Sequence, residues 1–299
     1  MFFRIFLRVM DLVLPERMLS RLFGVFARLP LPAFLLLPLL RWYVKAFDVE
    51  MSEARYPLSY YGTFVEFFTR PLKEGVRHID EAPSSVISPV DGRVYTYGHI
   101  DEETIVQAKG IDYTIAELLA DKKQAETFLN GSFMIIYLSP RDYHRIHSPV
   151  AGEIDAYRYI PGTLLPVNPP SVAMFPRLFV ENERLTSYIQ HPQAGCVALV
   201  KVGATNVGRI RLSYEDFVTN TWTTPKSVHT PVEPAAKVEK GGEVGMFELG
   251  STVILLFEEG VTLNTSLQAG EMLQLGQVIG HFGDSEVDNG DAEAATEVG

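Results

Sequence analysis

The sequence predicts an α+β protein: a mainly β body of packed or rolled sheets, preceded by amino-terminal membrane-associated helices. Three observations carry this. Residues 1–47 are apolar and punctuated by single basic residues. From residue 88 onward, short β-rich runs are bounded by glycine and proline. Helical periodicity is sparse after residues 113–119.

In the first segment, Arg4, Arg8, Arg17, Arg21, Arg28, Arg41 and Lys45 interrupt apolar residues, a pattern suited to helices lying in a membrane interface. The longest uncharged run, 29–40, contains Pro30, Pro32 and Pro38 and is shorter than the ~20 residues a spanning helix needs. The competing reading is a helical cap on the protein's own core; the basic flanks and Trp42-Tyr43 favour the membrane surface. Asp11 and Glu16 break the apolar text, so a secretory signal peptide is not expected and the amino terminus should be retained.

Residues 56–80 read as a linker containing a short helix at 63–68, closed by Arg70-Pro71-Leu72. Strands follow at 88–94, 133–138, 152–159, 197–202, 209–213 and 252–257. The Gly-punctuated segments 238–247 and 267–280 are similar to hairpins of biotinyl and lipoyl carriers, but no exposed lysine sits at a tight tip between apolar neighbours, as a carrier needs. The tail 284–299 has six acids, no base and little apolar content, and is expected to be disordered. The expected organisation is thus a helical membrane-association segment at 1–55, one folded domain at 56–283, and the tail.

Charge narrows the function. The net charge is -11, and residues 1–45 carry seven bases against two acids, which leaves -16 on residues 46–299. Such a body lacks the basic face that nucleic acid requires, so only the amino terminus suits an anionic surface. Cys196 is alone, which excludes an intrachain disulfide and a cysteine-rich metal site.

Reactive side chains crowd into Ser139-Pro140-Arg141-Asp142-Tyr143-His144-Arg145-Ile146-His147-Ser148-Pro149, directly after an apolar strand, where a rigid sheet hands over to a loop. His144 and His147 have no nearby histidine or cysteine to complete a metal set, so no metal is expected and base chemistry is the better reading. Leu249-Gly250-Ser251-Thr252 puts a hydroxyl directly after an unhindered glycine carbonyl. Read alone it is a turn before a strand; read with the histidines it is a self-cleavage site. Ser251 would attack the Gly250 carbonyl, and elimination from the resulting ester would leave a ketone at the new amino terminus. Asp91, in Ser88-Pro89-Val90-Asp91-Gly92, is a candidate to orient and stabilise a histidine, although Asp-Gly more often serves only as a turn.

Together, Phe67-Phe68-Thr69-Arg70-Pro71-Leu72, the Ser88–Gly92 motif, Gln107-Ala108-Lys109-Gly110, residues 140–147, Val202-Gly203-Ala204-Thr205-Asn206-Val207-Gly208 and Leu249-Gly250-Ser251-Thr252 make this chain resemble the phosphatidylserine decarboxylases of the bacterial membrane-associated type, over about Tyr56 to Gly283. The resemblance implies a lyase made as a zymogen. Asp91, His147 and Ser251 would form the self-processing triad, and Ser251 would become a covalent pyruvoyl group (pyruvate) that makes a Schiff base with the substrate amine. Catalysis would yield phosphatidylethanolamine and carbon dioxide. His144 is assigned to proton donation or carboxylate contact, on the assumption that the segment turns helically and brings both histidines to one pocket. Expected partners are phosphatidylserine, a membrane surface, and the chain's own cleavage products 1–250 and 251–299, with a homodimer left open; nucleic acid is excluded. The expected location is peripheral, on the cytoplasmic side of the cell membrane. The alternatives are a non-catalytic membrane-surface module and a carrier-like β module.

Overall fold

The computed structural model describes residues 24–101, 104–108, 111–175, 177–204, 209–221, 227–248 and 251–283. Residues 1–23, the Lys109-Gly110 and Leu249-Gly250 pairs, residues 205–208 and the acidic tail from 284 fall outside these, as do the expectations that rest on them.

The first named helix, α1 (Ala33–Phe47), carries Pro38 in its interior and buries Leu36, Leu40 and Tyr43, a helical i, i+4, i+7 stripe. That stripe joins the main core, while Phe34 and Trp42 remain 75% and 61% exposed on the opposite side. One side therefore caps the body, as the competing reading expects, and the other leaves apolar side chains exposed. None of the described helices is long and apolar enough to cross a membrane.

Residues 56–80 do not behave as a linker. Thr63 caps α2 (Phe64–Phe68) by accepting from Glu66 N at 3.1 Å, and Phe64, Phe67 and Phe68 are buried in the core.

The body then runs through β1 (Ser85–Ile87), β2 (Gly92–His99), β3 (Thr104–Ala108) and β4 (Ile111–Thr114). A Thr114–Glu117 capping box opens α3 (Ile115–Leu119), which is followed by α4 (Lys122–Glu126). Next come β5 (Ser132–Leu138), β6 (Arg145–His147), β7 (Gly152–Ile160), α5 (Pro169–Met174), α6 (Leu178–Glu181), β8 (Arg184–His191) and β9 (Gly195–Val202). The chain continues through β10 (Ile210–Leu212), β11 (Val228–Val238), β12 (Glu243–Phe247), β13 (Ser251–Phe257), β14 (Val261–Leu263), β15 (Met272–Leu273) and β16 (Val278–Phe282).

One eight-stranded sheet, ordered β11-β7-β8-β9-β13-β5-β2-β15, organises the molecule. β13 is interior to it, paired antiparallel with β5 and β9. Its residues alternate between two cores: Ile254 and Leu256 join the core covered by the helices, while Val253, Leu255 and Phe257 join the core shared with the small sheets β1-β16-β14 and β10-β12-β6. Burial on both faces explains why this strand reads as an unbroken apolar run. β11, by contrast, holds Pro231 and Pro234, breaks register between Pro231 and Ala236, and sits at the sheet's edge, where a missing N–H is tolerated.

The second core contains an unexpected cation. Lys201 is 0% exposed; its Nζ donates to Ser187 Oγ at 2.6 Å and to Leu199 O at 3.3 Å, and Ser187 Oγ also meets Tyr214 Oη at 2.7 Å. No carboxylate pairs with it among the described residues, and burial pushes its pKa down to about 7. A lysine pKa lower in the folded than in the unfolded chain removes stability as pH falls from the unfolded value toward 7, and below 7 the loss is complete. Lys201→Met should therefore raise the melting temperature at pH 7, by on the order of 1–3 kcal/mol of stability, and abolish the slope above pH 7. Thermal unfolding of both proteins across pH 6–10 measures this; a melting temperature unchanged or lowered by the substitution refutes it.

Candidate active site

Ser251 opens β13, where its backbone pairs with Leu138, the last residue of β5; Thr252 pairs with Tyr137 on one side and Val202 on the other. The chain before it is equally fixed. Phe247 N donates to His144 O at 2.9 Å and Glu248 N to Arg209 O at 3.0 Å. The buried Glu248 carboxylate accepts from Arg28 Nε at 2.8 Å and Arg211 Nη2 at 3.3 Å, with Arg209 Nε at 3.6 Å. Phe247 and Ser251 are thus both tied to the segment 138–147.

Asp91 ends a turn in which Ser88 Oγ donates to Val90 O at 2.7 Å. Gly92 is required there because a Cβ would sit 2.7 Å from Tyr137 O. Sixty residues later Ser148-Pro149-Val150-Ala151-Gly152 repeats the pattern: Ser148 Oγ donates to Val150 O at 2.6 Å, and a Cβ on Gly152 would sit 2.5 Å from Gln190 O. The two turns are interlocked, since His147 N donates to Pro89 O at 2.9 Å and Ile87 N to Pro149 O at 3.1 Å. Asp91 stands where the second copy has Ala151.

His147 is held at both ring nitrogens, Nδ1 to Gly241 O at 2.7 Å and Nε2 to Tyr143 Oη at 3.1 Å. A carbonyl only accepts, so in the neutral ring the proton is assigned to Nδ1, and the Nε2 lone pair accepts from Tyr143. Burial lowers the His147 pKa, partly opposed by the Gly241 bond and then by the Glu243 and Asp91 charges. Asp91 does not hydrogen-bond to His147. Its Oδ1 accepts from Arg77 Nε at 2.9 Å and Leu275 N at 2.8 Å, and its Oδ2 accepts from Arg77 Nη2 at 2.5 Å.

The expected helical turn between the histidines is absent. Residues 145–147 are a strand, β6, because they pair with β12, and a three-residue separation along extended chain sends the two side chains different ways. His144 is 0% exposed and stacks on Phe68 with ring centres 4.0 Å apart, at the edge of the helical core. By distance and angle neither ring nitrogen makes a hydrogen bond among the described residues; the backbone at Pro140 and Ser139 comes near enough only to oppose the fall in pKa weakly. Burial first, and the Arg70 guanidinium second, push its pKa down to about 3, so it is neutral at pH 7.

A phosphatidylserine decarboxylase family model matches residues 64–281. The chain belongs to the phosphatidylserine decarboxylase family. A phosphatidylserine decarboxylase proenzyme of Myxococcus xanthus is 49% identical over 276 residues, covering 92% of this chain and 97% of the relative. Proenzymes of the same name from Anaeromyxobacter sp. and Brevibacillus brevis are 42% and 41% identical, covering 93% and 89% of this chain and 98% and 94% of theirs.

The family's activity implies a covalent pyruvoyl group, and the residues around the start of β13 fit one. The buried ring of neutral His144, one N–H donor and one lone-pair acceptor, makes no hydrogen bond by distance and angle among the described residues, and it follows the strand whose last residue pairs with Ser251. Among the described residues no three of His, Cys, Asp and Glu converge as a metal group. Sequence reasoning passed over Tyr143, Gly241 and Arg77, the immediate partners of His147 and Asp91. The signal for the turn geometry was the Ser-Pro-Val-x-Gly repeat; nothing local marked Gly241 as a histidine acceptor.

Proposed function

We propose that this chain converts phosphatidylserine to phosphatidylethanolamine and carbon dioxide at the membrane surface, after cutting itself between Gly250 and Ser251. The observation that carries the reading is the backbone of Ser251, tied by strand pairing to the segment that bears the buried His144 and the half-buried His147, both with pKa values lowered by desolvation.

For the cut, the His147 Nε2 lone pair is the base that receives the Ser251 hydroxyl proton, with Tyr143 as the group that must give way or relay. Gly241 O fixes the productive tautomer, the part an aspartate takes in other serine triads, and Asp91 favours the imidazolium through space. Ser251 Oγ bonds to the Gly250 carbonyl carbon as the peptide C–N bond breaks. Loss of the Ser251 Cα proton and rupture of its Cβ–Oγ bond then release Gly250 as a carboxylate, and hydrolysis of the dehydroalanine expels ammonia.

The pyruvoyl ketone so formed supplies the electron sink for the pair released when carboxylate leaves as carbon dioxide. Because His144 is neutral, its contribution is an N–H donated to the substrate carboxylate in an apolar setting against Phe68, rather than a proton from an imidazolium. The exposed side of α1, with Phe34, Leu35 and Trp42, suits contact with the lipid surface that presents the substrate.

Incubation with phosphatidylserine vesicles should yield phosphatidylethanolamine in step with carbon dioxide, and the 251–299 fragment should carry a blocked, ketone-bearing amino terminus by mass spectrometry. An intact chain without lipid turnover would return the molecule to the class of binding modules.

A further inference from the structure

Arg70 follows α2 and is only 3% exposed. One of its nitrogens, Nη2, donates to Arg141 O at 2.8 Å; Nε and Nη1 are buried and have no partner among the described residues. Its Cζ lies 5.6 Å from the centre of the Phe67 ring, so part of the guanidinium is covered by an aromatic side chain that cannot accept its N–H bonds as an oxygen would. Arginine remains protonated in such a place, and an unsatisfied buried cation is costly. Arg70 also lines a cavity of about 280 Å³ with Arg77, Asp91, Arg141, Asp142 and Tyr143.

The charges on that wall are not equivalent. Arg77 is engaged bidentately by both Asp91 and Glu53, and Asp142 accepts from Ser139 N at 2.6 Å and Ser139 Oγ at 2.7 Å. Asp48 and Glu50 also border the cavity, but both are exposed to solvent, which screens them. Arg141 has only distant carboxylates, Asp142 at 3.7 Å and Asp48 at 3.8 Å. Two guanidiniums that no carboxylate hydrogen-bonds thus line one small cavity.

We propose that Arg70, assisted by Arg141, binds the phosphodiester of the substrate headgroup and so fixes which way the lipid lies across the site. This rests on the decarboxylase reading. The substrate has two oxyanions, and the phosphodiester is the better occupant. A cation clamped on the carboxylate would lose its ion pair as carbon dioxide departs and would raise the barrier, whereas the phosphate keeps its charge from substrate to product. Arginine's planar fork matches phosphate oxygens bidentately.

The test compares wild type, Arg70→Gln, Arg70→Lys and Arg141→Gln, each verified as folded by thermal unfolding and as cut by gel. Two probes separate the oxyanions: glycerophosphocholine has a phosphodiester but neither carboxylate nor primary amine, and N-acetylserine has the carboxylate without phosphate. Calorimetry should show glycerophosphocholine weakened about 10- to 100-fold by Arg70→Gln and less by Arg70→Lys, with N-acetylserine unaffected. KM for dispersed phosphatidylserine should rise by a similar factor while kcat is retained. Loss of N-acetylserine binding instead, or a fall in kcat at constant KM, would assign Arg70 to the carboxylate and overturn the proposal, as would unchanged binding of both probes. If the Arg70 variants do not fold, Arg141→Gln decides, with about 3- to 10-fold weaker glycerophosphocholine binding expected and none overturning. Absence of lipid turnover in the wild type would sink the decarboxylase reading instead, while the glycerophosphocholine comparison would still report on the anion site.

Discussion

Ser251→Ala should migrate as one chain of 33.4 kDa, where the wild type yields residues 1–250 and a 49-residue fragment, 251–299. The substitution removes only the attacking oxygen, and strand pairing through the backbone of β13 is independent of it, so the uncut chain should unfold at or above the wild-type temperature. His147→Ala should slow the cut by about 10²- to 10⁴-fold, the usual contribution of a positioned base. Asp91→Asn needs more care, because Asp91 also anchors Arg77 and Leu275 N. Its expected result is slower cutting together with a lower melting temperature. A cut Ser251→Ala chain, read by gel and mass spectrometry, would falsify the assignment of the nucleophile. The pH dependence adds a second check: since burial lowers the His147 pKa, the fall in cutting rate on acidification should set in at a lower pH than an ordinary histidine base would give.

His144→Ala should separate the gel from the lipid assay. The chain should be cut into the same two fragments yet decarboxylate at least about 10²-fold more slowly, because the role of His144 begins only after the ketone exists. The variant also leaves a void against Phe68 and costs about 2–4 kcal/mol of stability, so thermal unfolding must accompany the assay. His144→Asn retains a side-chain N–H and should recover part of the activity that alanine loses. With His144 neutral down to about pH 3, the decarboxylation rate of the cut enzyme should show no acid limb from this residue above pH 5. An acid limb near pH 6.5 that disappears in His144→Asn would restore it as a cationic proton donor. An uncut His144→Ala chain would mean that the two histidines need to exchange roles.

Much of this was legible in the sequence, and the failures have identifiable physical causes. β5, β9 and β13 stood out because strands in the middle of a sheet are apolar on both faces, and β7 because exposed Glu153 and Asp155 alternate with inward apolar residues. β8 and β11 did not. The first hides buried Thr186 and Ser187 among its apolar residues, and the second carries two prolines that only its edge position tolerates. The polar cluster 139–149 and the Gly-Ser bond were visible as chemistry. Their grouping was not, because Gly241 and Leu275 reach His147 and Asp91 through backbone atoms, which any residue type supplies. The paired Ser-Pro-Val-x-Gly turns were present in the text, sixty residues apart, and would have placed Asp91 beside His147 without any reference to catalysis.

The interior position of β13 has a consequence for the life of the molecule after the proposed cut between Gly250 and Ser251. The 49-residue fragment supplies a strand hydrogen-bonded on both sides, and its β15 and β16 pair with β2 and β1 of the larger fragment. Breaking one peptide bond therefore releases nothing. It does change the kinetic order of renewal: the uncut chain folds as a unimolecular event, whereas two chains separated by denaturant must meet again in solution. Until they do, the apolar run of β13 is an exposed segment with strong β propensity. With the cut at the proposed bond, maturation would be a ratchet that a folded chain passes and that a denatured enzyme cannot retrace.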